Sequence, residues 1–214
     1  EAILGRFRAG EQKILLGTQM VAKGLDLPNV TLVGVLDGDL SLFTGGFRAG
    51  ETTFDMLTQV VGRAGRGDFP GRAMIQTMSP NHELIRMAAD QDYERFYELE
   101  IRLRQIQNAP PFLDSVIAAF QGEREEQVLL GAVKFRDSLL ALQKSGSFGV
   151  FALECLGPAP SPVPKINYQY RYRLTIRCRL DKAARGALAY VLMAFGKDSK
   201  MRGVSAFLDV NGFE

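Results

Sequence analysis

The sequence predicts two α/β parts in series: a doubly wound layer around a parallel sheet, then an antiparallel α+β part. Three observations predict it. Short apolar runs alternate with helical periods through the first hundred residues. The double proline in "NAPPF" (108–112) then stops the arriving helix, because Pro111 pushes Pro110 out of the helical region. Beyond it the patterns run βαββαβ, the ferredoxin-like order, with two helices backing one face of a sheet.

In the first part, "ILGRFRAG" (3–10) and "ETTFDMLTQVVGRA" (51–64) read as helices. "KILLGT" (13–18), "TLVGVL" (31–36) and "RAMIQT" (72–77) read as buried strands of the parallel sheet. Ser79, with Pro80 at the first helical position, reads as the cap of a connecting helix broken near Asp90. Phe96, Leu99, Leu103 and Ile106 follow at helical spacing. In the second part, strands fall at 115–121, 149–157, 168–180 and 204–210, with helices over 123–144 and 182–196. The expected division is 1–80 for the first layer, 81–111 for connecting helices and 112–214 for the accessory part.

Composition excludes several classes. Hydrophobic residues make up 46% and charged residues 23%, an ordinary globular balance. No run of 18 apolar residues spans a membrane, and the charged start "EAILGRFRAGEQK" is no signal peptide. The first residue is Glu rather than Met, so the sequence reads as a piece of something longer. Cys155 and Cys178 lack CxxC spacing and read as small buried hydrophobes of a reducing, cytoplasmic protein. With His82 the sole histidine, no zinc site is expected here. Charge is uneven: residues 1–111 carry 12 basic and 14 acidic side chains, residues 112–214 carry 14 and 10. The second part therefore leans towards a polyanionic partner.

The densest motif is "LTQVVGRAGRG" (57–67), two arginines among three glycines. At about 100° per residue, Gln59, Arg63 and Arg66 share one helix face while Phe54, Leu57 and Val61 occupy the opposite one. Gly62, Gly65 and Gly67 each weaken a helix by about 1 kcal/mol. Backbone crowding around a polyphosphate would justify that cost; a solvated helix end with arginines at its terminus is the plain alternative. A second segment, "LLGTQMVAKGLDLPNV" (15–30), sets Thr18 at the end of an expected strand and then Gly24, Asp26 and Pro28. Ligands bind at the carboxyl ends of parallel strands, where a hydroxyl and backbone amides suit phosphate oxygens. Asp37 and Asp39 follow the next strand, and turn formation suits them as well as a functional role.

Together the two segments resemble the fifth and sixth motifs of superfamily 2 helicases, in the second, RecA-like (P-loop NTPase type) motor lobe. "GTQMVAKGLDLPNVTLVGVLDGD" and "LGPAPSPVPKINYQYRYRLTI" are similar to the PriA family of primosomal replication-restart DNA helicases in particular. The resemblance implies an ATP-dependent 3′–5′ DNA helicase that remodels stalled forks and starts primosome assembly in the bacterial cytoplasm. It implies that Arg63 and Arg66 face ATP phosphates with Gln59 beside them. It also implies that Gly24, Asp26 and Gly62 couple nucleotide to DNA, and that Thr18, Gln19 and Lys23 touch the DNA backbone. Magnesium would accompany ATP, and the family's cysteine-bound zinc would lie upstream. Neither GxxxxGK(S/T) nor a DExH-type acidic motif occurs here, so the piece alone is expected to be inactive. The alternatives are another superfamily 2 translocase, or a non-catalytic module that binds nucleic acid or protein.

"YQYRYRLTIRCRL" (168–180) alternates tyrosine and apolar positions with Gln169, Arg171, Arg173, Thr175, Arg177 and Arg179. Residues 165–185 hold seven basic side chains against one acid. The arginine face suits phosphates, with the tyrosines available for base stacking, or it simply faces water. The resemblance adds single-stranded and forked DNA, primosome proteins and the acidic tail of single-stranded DNA-binding protein as partners, with Arg185 meeting the tail.

Overall fold

The computed structural model describes residues 2–18, 27, 30–43, 46–64 and 70–212. The chain divides into two compact units, Glu1–Leu103 and Arg104–Glu214. Among the described residues no helix is long and apolar enough to cross a membrane.

The first unit runs α1 (Ala2–Arg8), β1 (Leu32–Val35), α2 (Ala49–Val61), β2 (Arg72–Ile75), α3 (Glu83–Asp90) and α4 (Tyr93–Ile106), the last passing into the second unit. β1 and β2 pair in parallel, with Leu32 opposite Arg72 and Val35 opposite Ile75. α2 buries Phe54 and Leu57, spaced one helical turn apart, as its apolar period requires. These join Leu84, Ile85, Met87 and Ala88 of α3 and Phe96 of α4, while Val35 and Ile75 pack in from the strands. Phe54 and Phe96 lie stacked, centroids 4.0 Å apart and planes within 8°. Such pairs add about 0.5–1.5 kcal/mol beyond area burial.

Four expectations change here. Residues 13–18 form no strand: they are irregular, and Ile14 and Leu16 are 85% exposed. Apolar periodicity marks a segment able to be buried, but a strand also needs a ladder partner, and none pairs with it among the described residues. β1 and β2 are short and half exposed rather than buried, because α2 covers one face while Leu32 and Met74 stand in solvent. The connecting helix starts at Glu83, not beside Ser79. Ser79 accepts the His82 N–H at 2.9 Å in a turn, and His82 Nδ1 caps by accepting the Leu84 N–H at 3.3 Å. Finally, α2 ends at Val61 rather than continuing to residue 66. The helical break near Asp90 falls at Gln91, whose backbone is left-handed at φ 57°.

The second unit runs β3 (Asp114–Gly122), α5 (Glu125–Ser145), β4 (Leu153–Ile166), β5 (Gln169–Cys178), α6 (Lys182–Lys197) and β6 (Val204–Val210). Its sheet has the order β4-β5-β3-β6, every neighbouring pair antiparallel. Alternate residues Val116, Ala118 and Phe120 of β3 and Leu174, Ile176 and Cys178 of β5 face α5 and α6. Phe120, Phe135 and Phe195 close the core edge to face, with centroids 5.4–6.2 Å apart. Burial pushes the Cys155 and Cys178 thiols up to about 11, which keeps both as unreactive hydrophobes at neutral pH.

β4 departs from its expected span, extending through "GPAPSPVPKI" to Ile166. Prolines 158, 160, 162 and 164 supply no ladder donors, and β4 is an edge strand, the one place a sheet tolerates them. Asn167 and Tyr168, at φ 48° and 64°, make the two-residue turn into β5.

Asp114 ties the start of the sheet together. Its carboxylate accepts the Leu180 N–H and the Asn211 amide, each at 2.9 Å, and these bonds hold its pKa below the usual carboxylate value. A lowered folded pKa stabilises the folded state above the unfolded value, near 4, and that contribution disappears as pH falls through the folded pKa. Asp114→Ala should therefore lower the second unit's stability by about 1–3 kcal/mol at pH 7. Urea unfolding of parent and variant should draw together as pH falls through the lowered pKa of the folded carboxyl; a gap of constant size on acidification would refute the role given to the ionised carboxylate.

Candidate functional site

The arginine-bearing end of α2 is built by its termination. Gly62 donates to Thr58 O at 2.9 Å, and Arg63 and Ala64 then donate to Val60 O and Val61 O at 3.0 and 3.2 Å. These tighter i→i−3 turns carry the chain past the helix end. Gln59 is exposed on the last turn and Arg63 is half buried just beyond it, so two of the three expected face-mates leave one helix end. Arg66, the third, lies outside the described residues, as do Gln19, Lys23, Gly24 and Asp26. Thr18 is described, exposed, and on no strand.

Gly62 is not idle at this end. Gln91, in the left-handed break after α3, directs its Nε2 onto Thr58 O at 3.4 Å, and a Cβ at Gly62 would come within 3.2 Å of that nitrogen. The missing side chain lets α3's end lean on α2's end beside Gln59 and Arg63. Nothing in the local pattern around Gln91 marked it, because its role depends on a contact 33 residues away. Nearer the helix start, Asp55 has its pKa raised by partial burial and by Glu51, one turn before it.

The carboxyl ends of β1 and β2 are joined rather than open. Gly38 donates to Gln76 O at 2.8 Å, in a space where a Cβ would meet Ile75 Cγ2 at 2.7 Å. Asp39 is buried, and its two oxygens accept the Thr77 hydroxyl at 2.7 Å and the Met78 N–H at 2.6 Å. Both oxygens are thus engaged in holding the two strand-exit loops together. Asp37 is exposed and left-handed at φ 59°, a turn position.

In the second unit, β5 keeps the alternation read from the sequence. Arg171, Arg173 and Arg177 lie on the face away from the helices, and Arg177 meets Glu154 at 3.5 Å. The tyrosines are corrected. Tyr170 and Tyr172 pack against the helix-side core, Tyr172 donating to Glu125 Oε1 at 2.9 Å, because they share parity with Leu174. Tyr168 sits in the hairpin turn, 85% exposed. Arg185 is exposed in the first turn of α6, its Nε bonded to Asp181 O at 3.2 Å. Among the described residues, no group of three or more His, Cys, Asp or Glu side chains is placed to hold a metal. The donors that are present, an amide and guanidinium groups, fit phosphate oxygens rather than a cation.

Comparison with known proteins divides along the same lines. Residues 1–68 match the family described as Helicase conserved C-terminal domain, and residues 105–211 match Primosomal protein N C-terminal domain. Replication restart protein PriA of Bacillus subtilis (strain 168) is 37% identical over 213 residues, all of this chain and 26% of that protein. The protein of the same name from Synechocystis sp. is 40% identical over 162 residues, 75% of this chain and 18% of its own length. That of Chlamydia trachomatis serovar D is 43% identical over 129 residues, 60% of this chain and 17% of its own. The chain thus spans about a quarter or less of these relatives.

The Asp39 clamp is testable without any ligand. Asp39→Ala leaves the Thr77 hydroxyl and Met78 N–H without their acceptor and should cost the first unit about 1–3 kcal/mol. Amide hydrogen exchange at Met78 should accelerate in step with that loss; unchanged protection would show the clamp to be dispensable.

Proposed function

The chain belongs to the PriA family of replication restart proteins, and on that premise we propose that it is the C-terminal part of an ATP-dependent DNA helicase. The observation that carries this reading is the presence in one chain of a helicase C-terminal match over 1–68 and a primosomal match over 105–211. That pairing favours it over another superfamily 2 translocase and over a binding-only module.

In this reading residues 1–80 close a RecA-like second motor lobe, residues 81–111 connect, and residues 112–214 form an accessory domain. The β4-β5-β3-β6 order with two helices on one face supports a ferredoxin-like classification of the accessory domain. Arg63 and Arg66 would hold ATP phosphates from across a cleft, with Gln59 beside them; the position of an exposed Gln59 and a half-buried Arg63 at one helix end supports this. Negative charge spreads over the phosphoryl oxygens during transfer, and a planar guanidinium presents matched donors to them. Magnesium would be held by the other lobe, where it neutralises charge on the phosphates. Gly24, Asp26 and Gly62 would couple nucleotide to DNA, and Thr18, Gln19, Lys23, Arg171 and Arg173 would contact DNA. The whole protein would unwind 3′–5′ at stalled forks, carry zinc upstream, and bind primosome proteins and the tail of single-stranded DNA-binding protein, the last through Arg185.

The 214-residue chain alone should hydrolyse no ATP above background, since no phosphate-binding loop occurs in it. In the protein that includes the first lobe, Arg66→Ala should lower kcat on the order of 10³-fold or more while leaving DNA affinity within about twofold. Steady-state ATPase and DNA-binding assays read both quantities. Unchanged turnover would remove these arginines from the phosphate site.

A further inference from the structure

The break between α3 and α4 places glutamine where glycine is the usual residue. The Asp92 N–H donates to Met87 O at 2.9 Å and the Gln91 N–H to Ala88 O at 3.3 Å, the paired bonds of a Schellman turn. Such a turn requires one left-handed residue, and Gln91 takes that place at φ 57°. Backbone geometry alone favours glycine there, because a Cβ crowds the left-handed conformation. What glutamine adds is a side-chain amide, and that amide reaches the last turn of α2. Its Nε2 donates to Thr58 O at 3.4 Å, the same oxygen that accepts the Gly62 N–H at 2.9 Å. Thr58 O belongs to the peptide unit that contains the Gln59 nitrogen, and Gly62 immediately precedes Arg63. One carbonyl thus links the two backbone segments from which Gln59 and Arg63 leave.

We propose that Gln91 is a positioning residue, whose amide fixes the end of α2 so that Gln59 and Arg63 meet nucleotide phosphates in one orientation. The proposal rests on the phosphate-gripping reading of that helix end. A carbonyl oxygen has two lone pairs, so Thr58 O can take both donors. The second donor also offsets part of the negative potential at a helix C-terminus, where an anion would otherwise be repelled. The amide stands on a rigid base. Leu84, Ile85, Met87 and Ala88 of α3 and Phe96 of α4 share one core with Phe54 and Leu57 of α2. Asp92 accepts the Arg95 N–H at 3.1 Å and so starts α4 directly after the break. Gln91 therefore approaches α2 from two helices already packed on it, and its influence falls on the orientation of the grip rather than on any reacting atom.

The experiment is steady-state ATPase and urea unfolding of variants in the protein that includes the first lobe. Glycine and asparagine both suit a left-handed backbone better than glutamine, and neither side chain spans the distance to Thr58 O. Gln91→Gly and Gln91→Asn should therefore keep the parent's unfolding midpoint. Each should nonetheless lower kcat by about 3- to 10-fold, with KM for ATP within about twofold of the parent. In Gly62→Ala the new Cβ falls 3.2 Å from Gln91 Nε2, so the amide must move and kcat should fall as well. The double variant Gln91→Gly with Gly62→Ala should be no slower than Gly62→Ala alone, because the contact is already lost. That comparison decides the matter if either glutamine variant lowers the midpoint. Unchanged kcat in both glutamine variants, or a full further slowing in the double variant, would overturn the proposal. Arg66→Ala, measured alongside, separates the two readings. If it leaves turnover unchanged, the phosphate reading fails and takes this one with it. If it abolishes turnover while the Gln91 variants match the parent, the positioning role alone fails.

Discussion

A β-strand can give only every second side chain to one face, and the second unit is organised by how β5 uses that constraint. Leu174, Ile176 and Cys178 go to the core, so Arg171, Arg173 and Arg177 must go to the opposite face. No shift of one residue is available, because it would bury three guanidinium groups and expose the core. The strand's central place between β4 and β3 then fixes the neighbours: whatever pairs with an arginine also lies on the open face. Core formation and the basic surface are one decision. This is why Asp114 and Asn211, which pin the end of the sheet, indirectly hold the arginine rows in register.

The first unit obeys a different constraint. Parallel strands cannot be closed by a short hairpin, so their carboxyl ends must be fastened by something else. Asp39 does this, taking one bond from the Thr77 side chain and one from the Met78 backbone. The buried carboxylate is tolerable because both oxygens are bonded. With the loops pinned, α2 lies over Val35 and Ile75, and its end comes to Gln91. The open side of β1 and β2, with Leu32 and Met74 exposed, is apolar surface that the described residues do not cover.

Legibility in the sequence tracked how local the deciding physics was. The α2 stripe of Phe54 and Leu57, both α5 and α6, and the alternation of β5 were readable because each repeats a short period. The strand at 13–18 was misread because periodicity says nothing of a partner. The extension of β4 through four prolines was missed for the opposite reason: proline argues against strand unless the strand is known to be an edge, which is a tertiary fact. Likewise the alternation sets Tyr170 and Tyr172 on the core face with Leu174, but how far the core reaches along the strand towards them depends on Glu125 and the helices, which is a tertiary fact. Gln91 was invisible because it acts through a contact 33 residues away.

The phosphate grip proposed for the end of α2 faces a physical peculiarity. A helix C-terminus carries about half a negative charge, so it repels a phosphate where a helix N-terminus would attract one. Its backbone also offers carbonyls, which cannot donate to phosphate oxygens. An anion brought there must be held by side chains alone, and only long cationic ones both offset the dipole and supply donors. Gln59 and Arg63 leave the helix at that place, one on its last turn and one just beyond. A side-chain grip of this kind adds charge from one side without enclosing the ligand. It suits a surface that completes a site formed mostly by another lobe, as proposed for this helix end. Gly62 serves helix termination and the approach of Gln91.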